Sequence, residues 1–149
     1  MTQIDFYVLE DSAADARLKL VCRIAEKAVA RDHQVLINTH SIAESTRLDD
    51  LLWTFSQGSF LPHRVIVEGE ATANTPSDAS EPVQIGCGAE PTDGSWDLLI
   101  NLAADVPEFF SRYQRVAEVV DGSSERRSAG RERFRYYRDR GYKLNTHKV

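Results

Sequence analysis

Short, continuously apolar runs alternate along the chain with longer segments whose apolar residues recur at helical spacing. Val35-Leu36-Ile37 is such a run, typical of a strand in a parallel sheet covered on both faces. Similar runs occur at 4–9, 82–87, 97–102 and 116–120. Strands that alternate with helices of about ten or more residues predict a mainly parallel sheet with helices on both faces. The sequence therefore predicts one Rossmann-like, three-layer α/β domain over residues 1–149, with a flexible loop at about 69–82.

Four helices are predicted between these strands. Ser12 is predicted to cap the first, and Ser41 with Glu44 has the pattern of a capping box for the second. The buried stripe of the second helix is predicted to be Leu48, Leu51, Leu52 and Phe55. A third helix is predicted after Asp105, its buried face formed by Val106, Phe109, Phe110 and Tyr113. The fourth is a basic helix over about 124–140, which Gly141 is well placed to end.

The turn after the first strand, residues 9–14, argues against a nucleotide site. It contains no glycine, and Glu10 and Asp11 would repel a phosphate that backbone N–H groups must approach closely. An alternative is a receiver-like acidic pocket, in which Glu10 and Asp11 would hold Mg²⁺ beside a phosphorylated aspartate. Such a pocket also needs an Asp at the end of a later strand, whereas Asp97 begins its strand. The simpler interpretation is that both carboxylates are solvated beside a helix N-terminus.

No metal site, cofactor or catalytic residue is predicted. The four histidines lack zinc-ligand spacing, and no G-x-S-x-G is present. Cys22 and Cys87 lie in separate apolar segments and are predicted to be buried. No apolar run approaches the roughly 20 residues of a membrane span, and no secretory signal pattern is found. A cytoplasmic protein without enzymatic activity is expected.

Charge is unevenly distributed along the chain. The net charge of −5 argues against general nucleic-acid binding, yet residues 122–149 contain nine Lys or Arg against three acidic residues. Four arginines share one face of the basic helix beside Phe134: Arg127, Arg131, Arg135 and Arg138. Arginine forks beside an aromatic would suit an acidic peptide with a free C-terminal carboxylate and an apolar last residue. A solvated basic face and direct binding of single-stranded DNA by the same arginines are the alternatives.

Trp53 is the second feature that a plain core does not explain. At about 100° per residue it falls roughly 140° from the apolar stripe of the second helix, so it should point away from the core. Phe60-Leu61-Pro62-His63 follows as an apolar patch in a predicted loop. Exposed Trp and Phe side chains are common anchors of protein interfaces. Alternatively, the loop folds back and Trp53 and Phe60 cover each other.

The chain resembles the chi subunit family of bacterial DNA polymerase III holoenzyme over essentially its whole length. The ordered set of matching segments is more specific than any one of them: Asp5-Phe6-Tyr7-Val8-Leu9, Arg47-Leu48-Asp49 with Leu52-Trp53, Phe60-Leu61-Pro62-His63, Leu99-Ile100-Asn101-Leu102, Glu118-Val119-Val120-Asp121, Arg131-Glu132-Arg133-Phe134 and Tyr142-Lys143-Leu144-Asn145-Thr146. The resemblance implies a Rossmann-like replisome adaptor without catalytic activity or specific nucleic-acid binding of its own. Such subunits bind the psi subunit of the clamp loader and the acidic C-terminal tail of single-stranded DNA-binding protein.

The resemblance also implies roles for particular residues. The tail-binding positions match Arg127, Arg131, Phe134, Arg135 and Thr146. Arg131 would hold the terminal carboxylate, Arg127 and Arg135 the aspartates of the tail, and Phe134 would wall the pocket for its last residue. The psi-binding surface matches Trp53, Phe60, Leu61 and Pro62, and in some relatives a helicase competes for it. The chain departs from the family pattern in three places. Phe134 stands where the family commonly has Tyr, and the tail-site lysines are arginines here. The stretch 122–124 is polar where an apolar pocket residue is expected.

Overall fold

A computed structural model describes residues 2–13, 15–54, 61–66, 82–88 and 96–149. The helices are α1 Ala16–Val29, α2 Ile42–Thr54 and α3 Ser124–Asp139. The strands are β1 Gln3–Val8, β2 Val35–Asn38, β3 His63–Val65, β4 Val83–Gly86, β5 Leu98–Asn101, β6 Arg115–Val120 and β7 Lys143–Lys148. Phe55, Phe60 and nearly all of the predicted 69–82 loop lie outside the described residues. No helix in the described part of the chain is long and apolar enough to cross a membrane.

The seven described strands form one sheet in the order β3-β4-β2-β5-β6-β1-β7. Every pair of neighbours is parallel. Because β1 lies between β6 and β7, the first strand of the chain pairs with its last two. The predicted α/β class with a mainly parallel sheet is confirmed.

Two apolar clusters cover the two faces of the sheet. The cluster on the α1 and α2 face includes Val21, Leu48 and Leu52, all fully buried. The cluster on the α3 face includes Phe6, Val120 and Tyr137. Successive side chains of a strand point to opposite faces, so β1 presents Phe6 and Val8 toward α3 and Asp5 and Tyr7 toward α1. This alternation decides which residues can form a site on each face.

The predicted ends of the helices are partly correct. Ser41 Oγ accepts the backbone N–H of Glu44 at 3.1 Å, as in a capping box, and the Glu44 carboxylate accepts the backbone N–H of His40, one residue before Ser41, at 2.9 Å. Gly141 follows α3 with a φ of 82°, the left-handed conformation that suits glycine after a helix. The prediction for Ser12 is wrong, because α1 begins at Ala16. Asp11 instead accepts the backbone N–H of Ala13 at 2.8 Å in a turn that keeps this segment out of the helix.

The third predicted helix is also wrong. The segment between β5 and β6 contains only a 3₁₀ turn, Phe110–Arg112. Phe109 and Phe110 are adjacent and both buried, as is Tyr113, and these aromatics fix an irregular crossover against the α3 side of the sheet. Strands β3 and β7 were not predicted. Cys22 is buried as expected, and burial raises the pKa of its thiol to about 12, whereas Cys87 is exposed because it follows the end of β4.

Candidate peptide-binding site

A buried carboxylate fixes the orientation of α3 on the sheet. Glu118 on β6 is fully buried and accepts hydrogen bonds from Arg133 Nε at 2.8 Å and Tyr137 Oη at 2.6 Å, both on α3. Asn101 Nδ2 on β5 donates to the same carboxylate at 3.0 Å. Burial raises the pKa of Glu118, and the charge of Arg133 opposes that shift. Arg133 and Tyr137 therefore face inward, and they fix which side of α3 lies against the sheet.

One side of α3 forms a wall of a groove of about 220 Å³ whose other residues come from β1, β6 and the edge strand β7. Eight residues line it: Phe6, Val8, Val120, Arg127, Gly130, Arg131, Phe134 and Thr146. The groove therefore joins residues from opposite ends of the chain, because β1 pairs directly with both β6 and β7.

The floor of the groove is apolar. Phe6, Val8 and Val120 are supplied by two neighbouring strands. The half-buried ring of Phe134 meets Phe6 edge to face, with ring centroids 5.3 Å apart. Gly130 allows the close approach of α3, since a Cβ there would lie 2.9 Å from Val120 Cγ2. This floor suits an apolar side chain of a ligand.

The rim of the groove is basic. Arg127 donates to the backbone carbonyls of Asp121 at 3.3 Å and Leu9 at 3.4 Å, which holds its guanidinium at one end of the groove. Arg131 is exposed and makes no ion pair with a carboxylate among the described residues. Its planar fork is therefore available for a carboxylate of a ligand. An apolar floor beside available arginines is the arrangement that an acidic peptide with an apolar end requires.

The structure brings four of the five residues predicted for the tail site together around the groove, namely Arg127, Arg131, Phe134 and Thr146. Arg135 does not line it; its exposed guanidinium pairs with Glu132 at 3.3 Å, one turn along the same helix. The polar stretch 122–124 does not line the groove either. Sequence reasoning missed the floor residues Phe6, Val8 and Val120 because the strand pairing that joins them is tertiary. The alternation of apolar residues on β1 was the available signal.

The surface around Trp53 is a second candidate. The Trp53 side chain is half exposed, as its helical position predicts, and lies over the ring of His63 with centroids 4.6 Å apart. The buried His63 ring contacts the Asp49 carboxylate at 2.7 Å and the Leu61 carbonyl at 2.8 Å, so it holds α2 to the start of β3. Leu61 is buried in the core and Pro62 is half-buried, so of the described predicted residues Trp53 is the most exposed. Sequence reasoning assigned no role to His63.

The acidic residues of the first strand-to-helix turn are exposed to solvent. Glu10 and Asp11 are exposed, and Asp11 is used in the turn that it forms with Ala13. Among the described residues there is no group of three or more His, Cys, Asp or Glu side chains arranged to hold a metal ion.

The parallel seven-stranded sheet with helices on both faces places the chain in the class of open α/β domains. A structure described as the crystal structure of T4 UvsW shares this fold, with a TM-score of 0.71 at 10% identity. That match covers 99% of this chain but 41% of the T4 protein, and it shows the fold alone.

Sequence comparison is more specific. Residues 1–145 match the family described as DNA polymerase III chi subunit, HolC. DNA polymerase III subunit chi of Pseudomonas aeruginosa is 40% identical over 149 residues, which span all of this chain and 98% of the relative. The protein of the same name from Escherichia coli is 30% identical, over 98% of this chain and 97% of the relative. The chain belongs to the DNA polymerase III chi subunit family, a family of replication accessory subunits.

Proposed function

We propose that the protein is a non-catalytic, cytoplasmic adaptor of the replisome. In this role it binds the psi subunit of the clamp loader with one surface and the acidic C-terminal tail of single-stranded DNA-binding protein with another. The observation that carries the proposal is the groove on α3, where an apolar floor lies beside arginines. Family membership supports the replication context, and the chemistry of the groove supports the acidic tail as its ligand.

Each part of the tail has a matching part of the groove. The last side chain, a phenylalanine, would enter the apolar floor between Phe134 and Phe6. Arg131 would receive the terminal carboxylate, because its guanidinium is exposed and lies at the groove. Arg127 at one end of the groove and Arg135 beyond its rim would attract the aspartates of the tail. Thr146 on β7 would border the bound peptide.

We expect a fluorescent peptide that ends in Asp-Ile-Pro-Phe to bind saturably, as measured by fluorescence anisotropy. A peptide lacking the final Phe should bind at least about tenfold more weakly, because burial of a phenylalanine side chain contributes about 1.5–3 kcal/mol. Raising the salt concentration should weaken both peptides, since the charged rim is solvent-exposed. Equal affinities of the two peptides would show that the apolar floor does not receive the terminal residue.

The Trp53 surface is proposed to bind psi, and a helicase would compete for it. An aromatic anchor that is half exposed and supported from beneath by His63 has the character of an interface hot spot. Phe60 is part of the same proposal from its sequence position, with Pro62 at the edge and the buried Leu61 supporting the surface from within.

Replacing Trp53 with alanine should weaken psi binding by about 2 kcal/mol or more, the usual size of a Trp hot spot. The matched control is Ile42→Ala, which removes another exposed apolar side chain from the same helix and should leave the affinity unchanged. Isothermal titration calorimetry with purified psi measures both. If neither variant loses affinity, psi binds elsewhere, and equal losses would show that Trp53 is not the anchor of the interface.

A further inference from the structure

A second and larger groove lies on the opposite face of the sheet, between α1 and the strands β1, β6 and β7. Its volume is about 780 Å³, within the range of ligand-binding clefts. The groove exists because α1 packs mainly over β2 and β6, which leaves β1 and β7 as an open floor beside the helix. The proposed adaptor role makes no use of it.

Basic side chains from several elements surround this α1 groove. Arg23 and Lys27 extend from α1, Arg31 follows the helix, and Arg115 rises from β6. His33 and His147 also line the groove. The three cations on the α1 side are exposed and form no ion pair with carboxylates of the described residues. The net charge of the whole chain is −5, so this concentration of positive charge is a local feature.

The acidic side chain in the lining, Asp5, is already neutralised by its neighbours. It is almost fully buried and accepts hydrogen bonds from Arg115 at 2.7 Å and Asn145 at 3.3 Å, and His147 Nε2 lies at 3.3 Å. Burial acts to raise the pKa of Asp5, but the hydrogen bonds and charge of its neighbours, Arg115 above all, hold that pKa below its usual value. The groove therefore presents a positive surface to a ligand.

An aromatic platform lies within the same groove. His147 stacks on Tyr7, with ring centroids 4.9 Å apart and an angle of 20° between the planes. The His147 side chain is about half exposed (48%), so part of its ring can be reached by a ligand. Leu20 and the half-buried Ile24 add apolar surface on the side of α1.

We propose that the α1 groove binds single-stranded nucleic acid without regard to sequence. Phosphates would lie along the basic residues, of which Arg23 and Lys27 stand four positions apart on α1 and are therefore spaced by about 6 Å along the helix axis. A base would stack on the exposed part of the His147 ring. A basic track combined with a stacking platform is the usual design of such sites. Because the α1 groove and the groove on α3 lie on opposite faces of the sheet, both can be occupied at once.

The test is fluorescence anisotropy with labelled oligo(dT) of about 15 nucleotides, at several salt concentrations. Binding should be saturable at low salt. The double variant Arg23→Ala/Lys27→Ala should bind roughly tenfold more weakly, and its slope of log affinity against log salt should fall by about 1.4, or 0.7 per lost contact. The matched control, Arg138→Ala/Arg140→Ala, removes the same charge from an exposed site elsewhere and should leave both quantities unchanged.

Two further probes distinguish the partner. His147→Ala should weaken oligo(dT) binding by about tenfold but leave the binding of inorganic polyphosphate unchanged, because only the oligonucleotide has bases to stack. The unlabelled tail peptide at saturation should not displace oligo(dT), whatever the fate of the tail-binding proposal. Three results would each overturn the inference: equal loss in both double variants, displacement by the tail peptide, or equally tight binding of poly-glutamate to the groove.

Discussion

Replacing Glu118 with alanine is expected to lower the free energy of unfolding by about 3–5 kcal/mol, the range for breaking a buried ion pair. The change removes the carboxylate that accepts hydrogen bonds from three side chains and leaves Arg133, itself buried, without its counter-charge. Tyr137 Oη loses its acceptor as well. Urea denaturation followed by circular dichroism measures the change.

The control for Glu118 is Glu132→Ala on the solvent side of α3, where the carboxylate is largely exposed and pairs with Arg135 at 3.3 Å. That change should fall within about 0.5 kcal/mol of the parent protein. Glu118→Gln serves as a second variant, since it keeps the side-chain volume and removes only the charge, and it too should be strongly destabilising. If Glu118→Gln is as stable as Glu132→Ala, the ion pair does not hold α3 on the sheet.

The second large effect is expected at Arg131, whose replacement by alanine should weaken binding of the acidic tail peptide by about 1.5–3 kcal/mol, or roughly 10- to 150-fold. Hydrogen bonds to charged groups have this strength, and Arg131 is the exposed guanidinium beside the apolar floor. The Arg131→Ala variant should be almost as stable as the parent protein, because the Arg131 side chain makes no ion pair with the described residues. Anisotropy titration with the peptide measures the affinity.

Arg138→Ala is the matched control for Arg131→Ala, because it removes the same charge from the same helix. Arg138 is exposed, pairs with Asp139 at 3.3 Å and does not line the groove. Arg135→Ala should have an intermediate, salt-sensitive effect, since Arg135 can act on the tail only from beyond the rim. Equal losses in all three variants would mean that the peptide responds to the net charge of α3 and not to the groove.

Much of the layout follows from local signals in the sequence. Three signals each determine the structure of residues close to them in the sequence. They are the all-apolar run that forms β2, the capping box of Ser41 and Glu44, and Gly141 after the basic helix. The outward position of Trp53 follows from helical spacing alone. These features could be predicted because neighbouring residues decide them.

The rest depends on contacts between distant segments. Strand β7 is polar and exposed, with β1 as its neighbour in the sheet, so its sequence has neither the apolar run nor the alternation that marks a strand. Val106, Phe110 and Tyr113 recur at helical spacing, yet burial against the sheet fixes an irregular crossover. The floor of the groove on α3 likewise forms only when β1 pairs with β6. The α1 groove depends on β7 as well, since His147 reaches Tyr7 only through that pairing.

The measurement that most directly tests the central claim is a two-dimensional ¹H–¹⁵N NMR titration of the protein with the acidic tail peptide. We expect the largest shift changes at the backbone amides around the α3 groove, including those of Phe6, Val8, Gly130 and Thr146. The amides beside Trp53 and those lining the α1 groove should change little. Shift changes centred on either of those two surfaces, with the α3 groove unaffected, would contradict the assignment of the groove as the tail-binding site.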